Sequence, residues 1–446
     1  MPNRLLASFV ALAFGFSILS APVQPAEAAT NCSVAQNLKN PLLGKFYGSV
    51  IDVATGKQIL GVRSDEQTPS ASVLKVITAA AGIIYLGPNY RAETKVFYSQ
   101  DDGTLYLVGG GDHTLSRYDP PSYTTYKTPP RISKLASQTL KAVGSISLIK
   151  KIVVDQTFFD ENGFNPAWKA TDRTNGYITP IAALMVDANK NNADLTSKKY
   201  DSWRSTDPAL KAGRIFKTAL GAQAASANVV IGTLGSNADL VSTVSSAPMS
   251  VWLDHAVKVS DNTETEMIMR HVQKATGAAT RFDGIQKMAE TTLDFLGLGH
   301  KGLVMRDASG LAQTDRVTAR VIAKLLALAA DPASPIADLS NYLATTSSYG
   351  TVANRFRGDA AVARGSVKAK SGYIPGLSSL AGLVKAKDGK TFAFAFFART
   401  YEKEGFKIGY GARDAIDGLV AKTFLCSVKL TDGKPIKKPA RLTPKS

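Results

Sequence analysis

The chain has 446 residues, with 53 Lys plus Arg against 36 Asp plus Glu, a formal charge of +17, 44% hydrophobic residues and 2 cysteines. That composition excludes a disordered tail, a collagen, a coiled coil and a disulfide-stapled mini-protein. A chain of this length makes two or three domains of roughly 100 to 200 residues each, large enough for buried cores and a cleft between them.

Residues 1–29 read as a secretory signal peptide: Arg4 supplies the positive start, Leu5 to Leu19 is an uncharged apolar run, and Ala26-Glu27-Ala28 is a small-residue cleavage pattern. Cleavage is expected near Ala28 or Ala29. Cys32 follows Ala29-Thr30-Asn31, which is not a lipoprotein box, and no later apolar stretch reaches about 18 residues. The alternative, an uncleaved membrane anchor, has a short span against it. The expectation is an exported protein, in the periplasm or otherwise outside the cytoplasmic membrane, soluble or peripherally attached. Export directs the positive charge towards anionic cell-envelope polymers and argues against nucleic acid as partner. The tail 429–446 holds Lys429, Lys434, Lys437, Lys438, Arg441 and Lys445 against Asp432 alone and reads as a flexible, solvated end or an envelope contact. Cys32 and Cys426 lie near opposite ends of the mature chain, and in an oxidising compartment such a pair commonly bridges. Two separate free thiols are the other reading.

Along the chain, Gly48 to Val53 and Gln58 to Arg63 form a predicted hairpin. Pro69 to Lys75 then opens a capped helix that is apolar or small almost all round, stopped by Gly87-Pro88, and therefore expected in the centre of a domain. Glu93 to Gln100 and Thr104 to Val108 make a second hairpin around Asp101-Asp102-Gly103. Strand-like runs at Ile152 to Asp155 and Val229 to Ile231 follow. Helical patterns run from Ser250 to about Leu296 and from Arg316 to Ala330. Strands return at Gly365 to Lys370, Ser378 to Lys385 and Thr391 to Thr400, before a last helix from about Ala412 to Leu425. Hairpins and helices at both ends predict one domain built from the two termini, with another inserted between them.

Ser72 and Lys75, three apart at a helix start, share one face. The helix end adds unpaired N–H groups suited to an oxyanion, and a buried lysine that loses its proton can serve the serine as base. Ser-x-x-Lys alone is weak, since Ser147 to Lys150 repeats it and receives no role. Ser260-Asp261-Asn262 before a helix and Lys370-Ser371-Gly372 closing a strand complete the ordered set of a serine acyl-enzyme site.

On those residues the chain resembles the low-molecular-mass class C penicillin-binding proteins, D-alanyl-D-alanine carboxypeptidases and endopeptidases of the penicillin-binding protein 4 type. The likeness extends to Leu107 to Leu115, with Gly109-Gly110-Gly111-Asp112, to Val154 to Phe159, to Arg306 to Leu311 and to Gly365 to Gly382. The resemblance implies an α/β fold: a β-lactamase/DD-peptidase (transpeptidase-like) domain of 30–92 and 246–428, an antiparallel sheet flanked by helices, with an inserted β-rich domain at 93–245. It implies that Ser72 attacks the D-Ala carbonyl of peptidoglycan stem peptides and that Lys75 takes its proton. Backbone N–H groups of Ser72 and Tyr373 would form the oxyanion hole. Ser260 with Lys370 would protonate the leaving amine, Asn262 would hold the acyl chain's amide, and Ser371 beside Gly372 would help bind the terminal carboxylate. β-Lactams would act as covalent inhibitors. Three departures stand out: Ser371 replaces the usual Thr, Tyr373 a smaller residue, and Gln313 stands about where many relatives carry Arg. Between Asn191 and Asp207 there are too few residues for a nested third domain.

A class A β-lactamase is the nearest rival, with Glu290 as its deacylating acid, but Ile285, Met288, Leu293 and Leu296 suit an amphipathic helix there. A non-catalytic peptidoglycan-binding protein is the second rival; an intact set of site residues argues against it. No metal or other cofactor is expected, because His113, His255, His271 and His300 show no paired ligand spacing. Asp155 is a candidate to reach the cleft and meet a substrate ammonium, with a structural aspartate at a strand end as the competing reading.

Overall fold

Residues 391–399 read Thr-Phe-Ala-Phe-Ala-Phe-Phe-Ala-Arg, and all but the two ends are buried. Side chains alternate between the faces of a strand. Phe392, Phe394 and Phe396 accordingly enter one hydrophobic cluster, and Ala393, Ala395 and Phe397 another. A strand covered on both faces belongs inside a layered sheet. The computed structural model describes residues 32–120, 124–144, 149–191, 203–399 and 410–430. The expected leader, almost all of the basic tail, Ser147 of the second Ser-x-x-Lys copy and most of 191–207 lie outside the described residues.

Six antiparallel strands run in the order Ala344–Thr345, Val367–Ile374, Leu377–Lys385, Thr391–Arg399, Lys45–Asp52 and Gln58–Val62. The two ends of the chain thus meet in one sheet, with Ser49 opposite Ala395. The helix Tyr410–Cys426 packs Ile416, Leu419 and Val420 with the phenylalanines, and the helix Ala319–Ala329 packs on the alanine face. Cys32 and Cys426 are free thiols and neighbours; burial, then a hydrogen bond with Cys32, pushes the Cys426 thiol up to about 12.

Behind the sheet lies the helix Lys75–Tyr85, buried from Lys75 to Gly82, as its apolar circumference predicts. It packs on the helices Met249–Val259 and Asn262–Ala275. A Cβ at Gly82 would lie 3.0 Å from Ile268 Cγ2 and 3.1 Å from Leu253 Cδ2, so glycine sets how closely these helices pass. The expected side-chain cap is absent at its start: Ser70 makes no capping bond, and a 3-10 turn, Ala71–Leu74, leads in instead. Ala71 takes a positive φ of 47°, a left-handed conformation that strains a non-glycine residue.

A second sheet has five strands, in the order Asn228–Ile231, Lys151–Asp155, Thr104–Gly109, Glu93–Ser99 and Asp239–Ser245. Its hairpin is antiparallel, whereas the 104–109, 151–155 and 228–231 strands are parallel. Parallel neighbours need crossover connections, and the helices Ile132–Val143 and Pro208–Leu220 supply them. The 93–245 segment thus adds crossover helices to the strands expected of it. Its helices were legible in the three-to-four spacing of Ile132, Leu135, Ala136 and Thr139 and of Ala209, Ala212, Phe216 and Leu220. Part of it leaves this sheet: Phe159, Trp168, Ile178, Ile181 and Met185 pack in the cluster that holds Ile77 and Trp252. Among the described residues no helix is long and apolar enough to cross a membrane.

Phe394 is fully buried between the sheet and the C-terminal helix. Phe394→Ala should cost about 3–5 kcal/mol in urea unfolding, while Phe295→Ala, at a side chain 60% exposed, should cost under about 0.5 kcal/mol.

Candidate active site

Three local structures converge on one cleft. The 3-10 turn that runs into the buried helix presents Ser72, and Lys75 follows three residues later. Lys75 Nζ donates to Ser72 Oγ at 3.0 Å, to Asn262 Oδ1 at 2.7 Å and to the Ser309 carbonyl at 2.6 Å. These three acceptors match the three N–H bonds of an ammonium. The helices 249–259 and 262–275 meet at Ser260-Asp261, where Ser260 takes a left-handed φ of 68° and Asp261 caps the second helix through Glu264 N at 2.9 Å. This tight junction carries Ser260 and Asn262 to the same cleft. Lys370, on the part of its strand that no neighbour pairs on the cleft side, donates to Ser260 Oγ at 2.8 Å and to the Ser371 carbonyl at 2.7 Å.

Gly372 is what lets that strand reach the serine. A Cβ there would lie 2.4 Å from Ser379 Oγ and 3.0 Å from Ser72 N. Tyr373 is half exposed at the cleft mouth, with the Arg413 guanidinium 5.6 Å from its ring centre. Ser72, Ser260, Asn262, Ser371, Gly372 and Tyr373 all line a cavity of about 880 Å³, with Asp172, Gln313 and Arg355 among its walls.

The electrostatics follow from two lysines being buried together. Burial pushes Lys75 down to about 8 against the pull of Asp307, Glu266 and Asp261. Burial, and then the charge of Lys75, holds Lys370 well below the ordinary lysine range. The nearby acids are mostly residues that the sequence reading did not single out. Glu266, one turn beyond Asn262, accepts Ala308 N at 3.0 Å, and burial followed by the Asp307 charge raises it to about 8. Asp307 accepts the N–H groups of Ser309, Gly310 and Ala312 and the Trp168 indole N–H. It thereby shapes the turn that offers the Ser309 carbonyl to Lys75. Asp315, fully buried, is held well above the carboxylate range by burial and then by Asp307. The i, i+4 spacing from Asn262 to Glu266 was the available signal for the first of these acids.

Asp155 corrects an expectation. Its carboxylate accepts Thr157 N at 2.8 Å, Thr157 Oγ1 at 2.7 Å and Leu234 N at 2.7 Å, so it is a buried strand-end aspartate and does not line the cleft. The acid that does line it is Asp172, whose carboxyl burial raises. Glu290 accepts from Gln286 on the helix Ile285–Phe295, away from the cavity, which removes the deacylating acid of the β-lactamase alternative. His255, Asp261 and Glu264 bring ligating atoms within 4.8 Å of one another. His255 bonds Glu264 at 2.6 Å, Tyr126 donates to Asp261 at 3.1 Å, and Arg204 and Lys190 add buried positive charge. The group is accounted for as the charged network that holds the Ser260–Asn262 junction.

The family model described as D-Ala-D-Ala carboxypeptidase 3 (S13) matches residues 30–203 and 198–423. The chain belongs to this family. It is 31% identical over 408 residues to a carboxypeptidase of Mycobacterium tuberculosis, covering 90% of this chain and 85% of that one. It is likewise 31% identical to Carboxypeptidase DacB of Mycolicibacterium smegmatis over 412 residues, 92% of this chain and 86% of the relative. In fold it is similar to penicillin binding protein 4 of Haemophilus influenzae, with a TM-score of 0.72 at 18% identity over 85% of this chain and 96% of that one. The S13 chain is a serine-type D-Ala-D-Ala carboxypeptidase with the mixed α/β penicillin-recognising fold.

Two measurements test the site. A base must be deprotonated, so with Lys75 at about 8 the acylation rate should rise with pH up to about 8, roughly tenfold per unit, and level off above; stopped-flow acylation by benzylpenicillin reads it, and a flat profile contradicts the assignment. Gly372→Ala should slow the same reaction by at least about 100-fold with the fold intact by circular dichroism, because the added carbon displaces the strand from Ser72.

Proposed function

We propose that Ser72 is the nucleophile of this carboxypeptidase and that the enzyme acts on peptidoglycan stem peptides ending in D-Ala-D-Ala. The single observation that carries the assignment is the Lys75 ammonium bonded at once to Ser72, Asn262 and Ser309. In the attack, Ser72 Oγ bonds to the penultimate D-Ala carbonyl carbon as its proton passes to neutral Lys75. Backbone N–H groups of Ser72 and Tyr373 receive the oxyanion. Ser260 Oγ, hydrogen-bonded to Lys370, passes its proton to the amine of the departing D-Ala and is made good by the proton that Lys75 took from Ser72, and the amide bond breaks. Water then hydrolyses the ester and frees Ser72. Asn262 Nδ2, which donates to the Tyr177 carbonyl at 3.0 Å, exchanges that acceptor for the acyl chain's amide. β-Lactams acylate the same serine.

Asp172 supplies a negative group on the cleft wall for a stem-peptide side chain that ends in an ammonium. This is the role that Asp155 is too remote to play. The second sheet supports an organisation in which 93–245 is inserted into a catalytic domain of 30–92 and 246–428, with the 159–185 stretch packed back on the catalytic core. Residues 1–29 act as the export signal, and in an oxidising compartment the neighbouring thiols of Cys32 and Cys426 form a disulfide. The basic tail makes peripheral contact with the anionic envelope.

Intact mass after incubation with benzylpenicillin should show a persistent single adduct on the wild type and none on Ser72→Ala. Penicillin hydrolysed without an adduct would favour a β-lactamase; penicillin untouched would leave a binding protein. Asp172→Asn should raise KM about tenfold for peptides with a free side-chain ammonium and leave it unchanged for their acetylated forms.

A further inference from the structure

A second cavity, of about 710 Å³, lies beside the last turns of the 249–259 helix. The loop 348–351 contributes to both spaces: Ser348 and Tyr349 line this cavity and Thr351 the cleft. That loop is fixed by Thr351 N, which donates to the Lys258 carbonyl at 2.9 Å, and by Gly350, where a Cβ would lie 2.7 Å from the same oxygen. The walls of the second cavity carry three ammonium groups, Lys127, Lys258 and Lys368, against one carboxylate, Asp254. Asp254 pairs with Lys258 and lies 3.7 Å from Lys127, while Lys368 has no carboxylate partner among the described residues. Positive charge is therefore left over. His255, 6% exposed, lines the same cavity. Its Nδ1 bonds Glu264 Oε2 at 2.6 Å, and its Nε2 makes no hydrogen bond among the described residues. Unlike both nitrogens of His113, that Nε2 is not sealed inside the protein, so it faces the cavity. Burial works against a charged ring, but the Glu264 carboxylate outweighs it and raises His255 above the ordinary imidazole value. With Nδ1–H given to Glu264, Nε2–H of the imidazolium is a donor in want of an acceptor. The hydroxyls of Thr128, Thr345 and Ser348 and the Asn341 amide also line the space, and none of these side chains bonds to another group among the described residues.

We propose that this cavity is an accessory binding site for a sugar or polyol phosphate, distinct from the cleft that Ser72 lines. Lysine binds phosphate as a compact point charge, and Lys127, Lys258 and Lys368 bring three such charges from separate chain segments. The buried imidazole of His255 adds a directional donor whose position Glu264 fixes, so little entropy is lost when it engages a ligand. A bare phosphate would leave most of the cavity empty. The unbonded hydroxyl and amide groups match the hydroxyls of a sugar or polyol, and the Tyr349 ring, 58% exposed, offers an apolar face to its C–H groups. A free sugar phosphate and a phosphate-linked polyol chain present the same chemistry to these residues.

Isothermal titration calorimetry on the purified full chain tests the site, with glucose 6-phosphate as probe, glucose and inorganic phosphate as its two halves, and a synthetic poly(glycerol phosphate) as the chain form. Wild type should bind glucose 6-phosphate at least about tenfold more tightly than either half, and more weakly as salt is added. Lys127→Gln and Lys368→Gln, both at exposed positions, should each weaken binding about 3- to 10-fold, and His255→Gln about tenfold with an unchanged circular dichroism spectrum. The two lysine variants should acylate with benzylpenicillin at the wild-type rate, and protein already acylated should bind glucose 6-phosphate as the free protein does. Tighter binding of the chain than of glucose 6-phosphate would identify the chain as the source of the phosphate; weaker binding would identify the free sugar phosphate. No binding of either, binding that both lysine substitutions leave untouched, or binding lost on acylation would overturn the site. Inorganic phosphate held as tightly as glucose 6-phosphate would overturn its sugar and polyol part. Absence of any penicillin adduct would strike Ser72 as nucleophile and leave the lysine variants to decide this cavity on their own.

Discussion

Two lysine amino groups buried in one cleft are the constraint around which this molecule is arranged. Removing a lysine charge from water is costly unless it is surrounded by acceptors or gives up its proton. Lys75 is surrounded by acceptors: a hydroxyl, an amide oxygen and a carbonyl take its three bonds, and carboxylates stand behind them. Lys370 has an acceptor hydroxyl and a carbonyl but, beside the charge of Lys75, is pushed towards its neutral form. Because both lysines are tied to serines, any change in protonation of one is felt along the Ser72–Lys75 and Ser260–Lys370 pairs.

The acids that make this tolerable carry their own burial cost. Asp307 meets it with three backbone N–H groups and an indole N–H, which turn 307–312 into a rigid bend. Glu266 and Asp315 meet it in part by holding their protons more tightly. The indole comes from Trp168, in the 159–185 stretch that packs into the main cluster. Order in that stretch is thus coupled to the electrostatics around Ser72 and Lys75 through one hydrogen bond.

Close approach is the second requirement, and glycine meets it twice. Gly82 lets the buried helix pass near Leu253 and Ile268, on the helices that flank Ser260. Gly372 lets the Lys370 strand lie against Ser72 N. Strain is accepted at the same places: Ala71 before Ser72 and Ser260 itself both have positive φ. A stable surrounding core can hold such conformations, and the alternating phenylalanines and alanines of 391–399 are at its centre.

Much of this was legible beforehand. The three motifs, the terminal strands, the buried helix and the hairpin at 93–109 are local patterns, since periodicity and turn residues act over a few positions. The crossover helices are less plain, because their amphipathic spacing lies among Ser- and Thr-rich connections. Asp155 lies beyond local pattern: its type suited a cleft acid, but its carboxylate is spent on Thr157 and Leu234, a choice made by chain segments 79 residues apart. Asp172, Glu266, Asp307 and Asp315 follow the same logic, because burial and partners depend on which segments pack together. Residue type and local spacing settle which groups are available for the chemistry. Which acids surround the lysines is settled by packing, since desolvation and hydrogen-bond satisfaction exist only where distant segments meet.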